Sequence, residues 1–292
     1  MNNQELIAFL NTLDLSVYKH ASNIIAKFGN WATLSQTQKN ALPIIANEYF
    51  NFISANNQII GYSEQNITDR TTLLNNYYNF INVNQYDNVF TSQGKFRPTI
   101  LEEFMYILFK DLINEVKVNL EDANNNLRVG SSRAYTNLFF SGSNFQEFVN
   151  SPQIGINDKD QDFAIYRPIS ITIGDSNSIN TNLPIVAIEN KTYIDKTMLE
   201  GSIATAEKVK SGNPYSLFFI VTENYDVDLK VDPIYSKIDQ IYVLRKSKRA
   251  KNQPMQPIYS DVLVDLVSEV RIHLTRNWSD VSAKLSNTGK IL

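Results

Sequence analysis

The sequence contains no cysteine and only two histidines among its 292 residues. The absence of cysteine excludes disulfide frameworks, thiolate zinc sites and cysteine nucleophiles. His20 and His273 lie far apart in the sequence and neither belongs to a local motif, so HNH chemistry and a histidine-based triad are not indicated. We interpret both histidines as packed or solvated residues. A metal ion in this protein would therefore be bound through oxygen atoms or by the two histidines together.

Long apolar runs and nucleotide-binding glycine motifs are missing as well. No stretch reaches the length of a membrane span, and the opening MNNQELIAFLNTLDL lacks the basic and apolar regions of a signal peptide. Neither GxxxxGKS/T nor GxGxxG occurs, so no nucleotide is expected as a partner. The net charge of −3 argues against coating of polyanions through overall charge. We expect a cytoplasmic protein that binds neither membranes nor nucleotides.

Turn-forming residues divide the chain into two regions. Residues 1–94 are rich in Asn and repeat apolar side chains at helical spacing, which predicts a helical region. Gly94 and Pro98 interrupt that pattern within the stretch TSQGKFRPT. Residues 95–292 follow with a different order of elements, and we treat them as the second region.

The second region combines helix and strand patterns. Thr99 and Glu102 form a capping-box pattern at the start of a broadly apolar helix, and a polar, glycine-containing segment carrying Arg133 follows that helix. The predicted elements are, in order, a helix to about residue 120, strands at 159–173 and 184–193, a helix at 196–210, strands at 217–223 and 240–246, and a helix at 259–274. This order predicts an α/β core with a mixed sheet flanked by helices.

One predicted strand, PIVAIENKTY, begins as a buried strand and ends in charged residues. Side chains alternate between the two faces of a strand, so Glu189 and Lys191 are neighbours on one face. Two other acid-any-lysine triplets occur, but they fall on a predicted helix and in a loop-like stretch. When a buried strand ends in charged residues, that end either reaches solvent or forms part of a functional site.

A second acid, Asp162, stands at the start of the apolar part of the neighbouring strand, one hairpin away from Glu189. Two nearby carboxylates repel each other when ionised, and a divalent cation with oxygen ligands is the usual way to hold them. Mg²⁺ fits, because it combines one or two carboxylates with waters and substrate phosphate. Lys191 could orient or deprotonate the attacking water and offset the charge that develops on phosphorus. These residues predict metal-assisted phosphodiester hydrolysis.

This set of residues resembles the PD-(D/E)XK nuclease core. The stretch IENKTYIDKTMLE, together with RPTILEEFMYILFKDL upstream, resembles in particular the type II restriction endonucleases of the BbvCI-like group, over roughly residues 95–245. The resemblance implies an αβββαβ order of elements. It also implies that Asp162 and Glu189 bind Mg²⁺ and that Lys191 acts on the water.

Two features depart from the family pattern or extend it. The family often has Pro directly before the first Asp, whereas Gln161 stands there, and Asp160, expected on the same strand face as Asp162, is the rival metal ligand. Several of these nucleases also use an acid from the preceding helix. We assign that catalytic role to Glu103, with simple solvation as the alternative, because Glu102 is occupied by the capping box.

A further acid, Glu200, is interpreted as the partner of Thr197 in a capping box at the next helix, in preference to a role at a second metal. The segment LRKSKRAKNQ is the strongest basic patch, and it is typical either of a solvated loop or of a polyanion contact. The residues expected to contact DNA are Arg133, Arg245, Lys246, Lys248 and Arg249.

The expected function is that of a type II restriction endonuclease acting on double-stranded DNA with Mg²⁺. Because one such core cuts one strand, we expect a homodimer or a heterodimer with a related subunit. Residues 1–94 would serve DNA recognition or dimerisation, and residues 95–292 would form the catalytic domain. The alternatives are a repair or junction-resolving nuclease of the same fold and a non-catalytic DNA-binding subunit, although the complete set of Asp162, Glu189 and Lys191 argues against the latter.

Overall fold

The computed structural model describes residues 2–90, 96–121, 124–172, 178–249, 255–276 and 281–290. Within these ranges no helix combines the length and the apolar character needed to cross a membrane. Gly94, part of the predicted turn GDSNSINTN and Lys251 lie outside the described residues.

Three helices of the helical region begin at polar residues that cap them. Asn2, Ser35 and Ser63 each accept a hydrogen bond from the backbone N–H three residues further on, which satisfies a donor that has no partner within the helix. The elements are α1 (Asn3–Leu10), α2 (Lys19–Gly29), a 3₁₀ turn (Trp31–Thr33), α3 (Gln36–Gln58), α4 (Glu64–Val83) and α5 (Tyr86–Val89).

The second region has the predicted αβββαβ order. Its elements are α6 (Pro98–Asn119), β1 (Arg128–Ser141), α7 (Phe145–Asn150), β2 (Gln153–Ile171), β3 (Ile179–Ile194), α8 (Lys196–Gly212), β4 (Leu217–Tyr225), a 3₁₀ turn (Pro233–Tyr235), β5 (Gln240–Val243), α9 (Ser260–Thr275) and α10 (Val281–Thr288). The segment around Arg133 lies in strand β1 and not in a loop. The capping box at Thr99 is also absent, because its Oγ1 donates to the backbone oxygen of Phe96.

The five strands form one mixed sheet in the order β1-β2-β3-β4-β5. The pairs β1–β2 and β2–β3 are antiparallel, and the pairs β3–β4 and β4–β5 are parallel. Helix α8 makes the crossover between β3 and β4, as a parallel pair requires. The predicted mixed sheet is confirmed.

Strand β3 is covered on both faces. Val186 and Ile188 belong to a large hydrophobic cluster that also contains side chains of α1–α4, α6 and α9, so the helical region and the sheet share one core. Ala187 belongs to a smaller cluster with Leu199 and Ala206 of α8. The alternation predicted for β3 therefore holds, and α8 packs on the face that carries Glu189 and Lys191.

Candidate active site

Asp162 and Glu189 come together where the pairing of β2 with β3 ends. Phe163 pairs with Ile188 in the antiparallel register, which places Asp162 next to Glu189. Oδ2 of Asp162 accepts a hydrogen bond of 2.8 Å from the backbone N–H of Asn190. This bond fixes the carboxylate of Asp162 against the backbone of β3.

Glu189 accepts a hydrogen bond from Ser202 and forms a longer ion pair with Lys191. Its Oε2 accepts a hydrogen bond of 2.5 Å from Oγ of Ser202 on α8, and Nζ of Lys191 lies 3.6 Å from the same oxygen. The Glu189 side chain is 13% exposed and that of Lys191 is 30% exposed. A charge that is so little exposed needs such partners, because the surrounding protein replaces most of its water.

These side chains line an open pocket of about 390 Å³ between the sheet and α8. Its lining residues are Lys159, Asp160, Asp162, Glu189, Lys191, Met198, Gly201, Ser202 and Thr205. Among the described residues, no group of three or more His, Cys, Asp or Glu side chains could hold a metal ion. A pair of carboxylates suits Mg²⁺, which is completed by waters and substrate phosphate, so the residues present fit this cation.

The strand pairing at the start of the pocket is irregular. Ala164 pairs with Gly130 and Gln161 pairs with Ser132, so β2 advances by three residues while β1 advances by two. Asp162 lies at this β-bulge, where two residues of β2 lie opposite one residue of β1. Asp160 and Asp162 nevertheless both line the pocket, as expected for residues two apart on one strand.

The surroundings of Asp160 differ from those of Asp162. The Asp160 side chain is 93% exposed and lies 3.7 Å from Nε of Arg133. Arg133, itself 71% exposed, also donates a hydrogen bond of 2.7 Å to Asp158. Asp160 is thus turned toward a surface ion pair, whereas the contacts of Asp162 hold it beside Glu189.

Glu103 lies in the helical core and does not line this pocket. Its Oε2 accepts the backbone N–H groups of His20 and Ala21 at 2.8 and 3.1 Å, and its Oε1 accepts the hydroxyl of Tyr49 at 2.7 Å. The two N–H groups belong to the first turn of α2, whose N-cap residue supplies no side-chain cap. The catalytic role expected for Glu103 is therefore wrong, because its carboxylate caps α2 from a distance of more than eighty residues in the sequence.

Comparison with known proteins identifies the family. Residues 93–256 match the Bpu10I restriction endonuclease family. The chain belongs to this family. A chain of the solved structure "native BbvCI A2B2 tetramer at low resolution" matches with a TM-score of 0.69, over 89% of this chain and 97% of that chain, at 21% identity, which shows a shared fold. No curated protein sequence matches. The predicted resemblance to restriction endonucleases of the BbvCI-like group is confirmed.

Within this Bpu10I family member, Arg245 is not a surface residue. Its side chain is 2% exposed and donates hydrogen bonds of 2.9 and 2.8 Å to Oε2 of the buried Glu223. Arg97 donates to the same oxygen at 2.8 Å, and both guanidinium groups lie over the ring of Tyr78 at 4.8 and 5.3 Å. The expected DNA contact by Arg245 is therefore wrong, because this side chain belongs to an interior ion cluster.

The other basic residues of the segment that the structure describes are exposed. Lys246 pairs with Asp261 and Lys248 lies at the surface. The guanidinium of Arg249 lies 3.8 Å from the centroid of the Tyr193 ring. Since Tyr193 follows Lys191 by two residues on β3, this contact places the basic segment near the end of the strand that carries the candidate site.

Sequence reasoning missed Ser202. The expected capping box of Thr197 and Glu200 is wrong, because α8 is capped by Asp195, which accepts the backbone N–H of Met198 at 2.9 Å. Glu200 instead lies 3.8 Å from Lys196. A serine inside a helix carries no motif, and only the packing of α8 on the sheet brings its hydroxyl to Glu189.

Proposed function

We propose that the chain is a type II restriction endonuclease that hydrolyses phosphodiester bonds of double-stranded DNA at a specific sequence, with Mg²⁺ as its cofactor. The observation that carries this proposal is the joint placement of Asp162, Glu189 and Lys191 in one open pocket of a restriction endonuclease family member. The family match also favours restriction over repair or junction resolution.

Each of the three side chains has a proposed role. Asp162 and Glu189 would hold the cation, since both present carboxylate oxygens to the same pocket. When bound, Mg²⁺ would supply Lewis-acid stabilisation of the phosphate and a lower pKa for the attacking water. Lys191 would orient that water and offset the negative charge that develops during the attack.

The DNA would lie along the surface that joins this pocket to two basic sites. Arg133 lies beside Asp160 at one side, and Lys248 and Arg249 lie near the end of β3. These exposed cations would contact phosphates, which position the duplex without reading its sequence. Residues 1–94 would contribute to recognition or to dimerisation, with residues 95–292 forming the catalytic domain.

Cutting both strands at a fixed site needs two catalytic centres. The structurally similar protein BbvCI is described as an A2B2 tetramer. We infer that this chain also acts as a pair, either with a second copy or with a related subunit, because a closed two-fold arrangement presents one centre to each strand. Because its proposed substrate is double-stranded DNA, we expect the protein to act in the cytoplasm.

The test is to incubate the purified chain with phage DNA and to map the ends. Discrete double-strand ends at one short motif with Mg²⁺, and none with excess EDTA, are expected. Nicks in one strand at a motif would indicate a missing partner subunit. Cleavage that persists in EDTA would contradict the metal assignment, and cuts that follow branches or mismatches regardless of sequence would contradict restriction.

A further inference from the structure

Ser202 faces the sheet from the middle of α8. Its side chain is 2% exposed, and its neighbours along the helix, Leu199 and Ala206, pack in the cluster beneath α8. The helix start is also held by the cap at Asp195. The position of the Ser202 hydroxyl is therefore set by the packing of a whole helix and not by a mobile loop.

Two donors approach one oxygen of Glu189. The 2.5 Å hydrogen bond from Ser202 is short, whereas the 3.6 Å separation from Nζ of Lys191 is longer than a hydrogen bond. Because Ser202 occupies Oε2, it reduces the tendency of Glu189 to close a tight ion pair with Lys191. Among the described residues both contacts fall on Oε2, so Oε1 is the oxygen of Glu189 that can turn to a cation.

We propose that Ser202 is a positioning residue for the reaction. It fixes the carboxylate of Glu189 for the divalent cation and keeps Lys191 separate, so that the ammonium group is available to the attacking water. This inference rests on the proposed function, since it assigns Ser202 a part in the same site. Partners that orient a metal-binding carboxylate commonly change metal affinity or activity by about 10–100-fold when they are removed.

The first experiment compares Ser202→Ala and Ser202→Thr with the wild type over a range of Mg²⁺ concentrations. For S202A we expect the half-saturating Mg²⁺ concentration to rise by about tenfold or more and the maximal cleavage rate to fall. S202T retains the hydroxyl and should remain close to the wild type. Binding of duplex DNA in saturating Ca²⁺ should be unchanged in both variants, since Ser202 is buried and does not carry a charge for phosphate.

Ser211→Ala is the matched control. It makes the same substitution in the same helix, and the Ser211 hydroxyl bonds only to the backbone oxygen of Lys208 at 2.8 Å among the described residues. This variant should cleave like the wild type. Urea unfolding of all three variants separates a loss of positioning from a loss of folded protein.

A second measurement does not depend on cleavage. Calorimetric titration of the full chain with Ca²⁺ alone should show weaker binding to S202A than to the wild type. An S202A variant with unchanged Mg²⁺ dependence, or an S202T variant as impaired as S202A, would overturn the inference. If the wild type fails to cut DNA, the proposed function fails instead, and equal Ca²⁺ affinities of S202A and the wild type would then overturn the role of Ser202 separately.

Discussion

Asp160 and Asp162 differ in their partners and in their exposure to solvent. Both side chains line the pocket, but Asp162 is bonded to the backbone of β3 beside Glu189, whereas Asp160 is almost fully exposed and faces Arg133. A ligand needs a fixed orientation as well as a charge. The contacts therefore favour Asp162 as the partner of Glu189.

We predict that Asp162→Asn abolishes cleavage and that Asp160→Asn retains most of it. Lys191→Met should lower the rate by about 10²–10⁴-fold, the usual contribution of a positioned proton-transfer group. Initial rates with saturating Mg²⁺ measure the effect, and urea unfolding of each variant provides the control for folding. An inactive D160N together with an active D162N would reverse the assignment.

Gly201, the residue before Ser202, lines the pocket although nothing in its described surroundings requires a glycine there. A Cβ at this position would meet no heavy atom within 4 Å, and φ is not positive. Glycine inside a helix costs roughly 0.5–1 kcal/mol of stability relative to alanine. The missing side chain keeps open the wall of the pocket, where a DNA backbone would approach.

Gly201→Ala should therefore raise the unfolding free energy by about 0.5–1 kcal/mol and at the same time slow cleavage by about tenfold to a hundredfold. Gly29→Ala is the control, because Gly29 ends α2, also has open space around it and does not line the pocket. It should add stability without changing cleavage. Equal cleavage rates for the two variants would show that no substrate group needs the space at Gly201.

At the scale of elements, α2 is tied to α6 by a buried polar network. Burial raises the pKa of Glu103 to about 7, although its three hydrogen bonds oppose the shift. Burial, followed by the charge of Lys27, lowers the pKa of His20 to about 3. The His20 ring contacts the hydroxyls of Thr99 and Tyr77 at 3.0 and 2.8 Å. Two neighbouring groups in one network thus have pKa shifts whose effects on stability oppose each other.

The effects on stability follow from the direction of each shift. The favourable contribution of Glu103 to the unfolding free energy is complete below its ordinary pKa of 4.5, and it is lost as the pH rises to about 7. The contribution of His20 is complete above its ordinary pKa of 6.5 and is lost as the pH falls to about 3. Between pH 4.5 and 6.5 the two contributions oppose each other, so their sum changes little.

We predict that Glu103→Gln uncovers the contribution of His20. The unfolding free energy of this variant should rise with pH between 4.5 and 6.5, by up to about 1.4 kcal/mol per pH unit, more steeply than that of the wild type. His20→Gln should show the opposite, a free energy that falls over the same range. Urea unfolding at three pH values measures both slopes. Parallel curves for the wild type and E103Q would contradict the prediction.

At the scale of the whole molecule, the cluster of Arg97, Glu223 and Arg245 joins the helical region to the sheet. Glu223 lies on β4, and the Tyr78 ring that both guanidinium groups cover belongs to α4. Removing one partner of a buried ion pair leaves the other charge without compensation. This cluster therefore stabilises the contact between the two regions. Its member Arg245 had been expected from the sequence to contact DNA.

Arg245→Ala and Lys248→Ala should separate these two roles. R245A should lower the unfolding free energy by on the order of 3 kcal/mol, since Arg97 remains as one partner of Glu223. K248A should change stability by less than about 0.5 kcal/mol, but it should reduce the salt dependence of DNA binding by about one unit of slope. Urea unfolding and DNA binding at several salt concentrations measure the two effects. An unchanged slope for K248A would identify that part of the segment as a solvated surface.

Much of the fold could be predicted because it depends on local patterns. The alternation in PIVAIENKTY placed Glu189 and Lys191 on one face of β3, and the hairpin order brought Asp162 close to them. Helices α6, α8 and α9, strands β2 to β5 and the helical character of residues 1–94 also follow from periodicity and turn residues. These features are set by backbone geometry over a few residues, so the printed sequence was sufficient for them.

Other features depend on contacts between residues that are distant in the sequence. Only the tertiary structure decided that Glu103 caps α2, that Arg245 is buried against Glu223 and that Ser202 bonds to Glu189. A charged residue has the same local pattern whether it is solvated, paired in the interior or part of a site. The sequence alone determined the order of elements and the acidic pair with its lysine, whereas packing of helices on the sheet determined which charges remain available for chemistry, because burial and partners are properties of the folded chain.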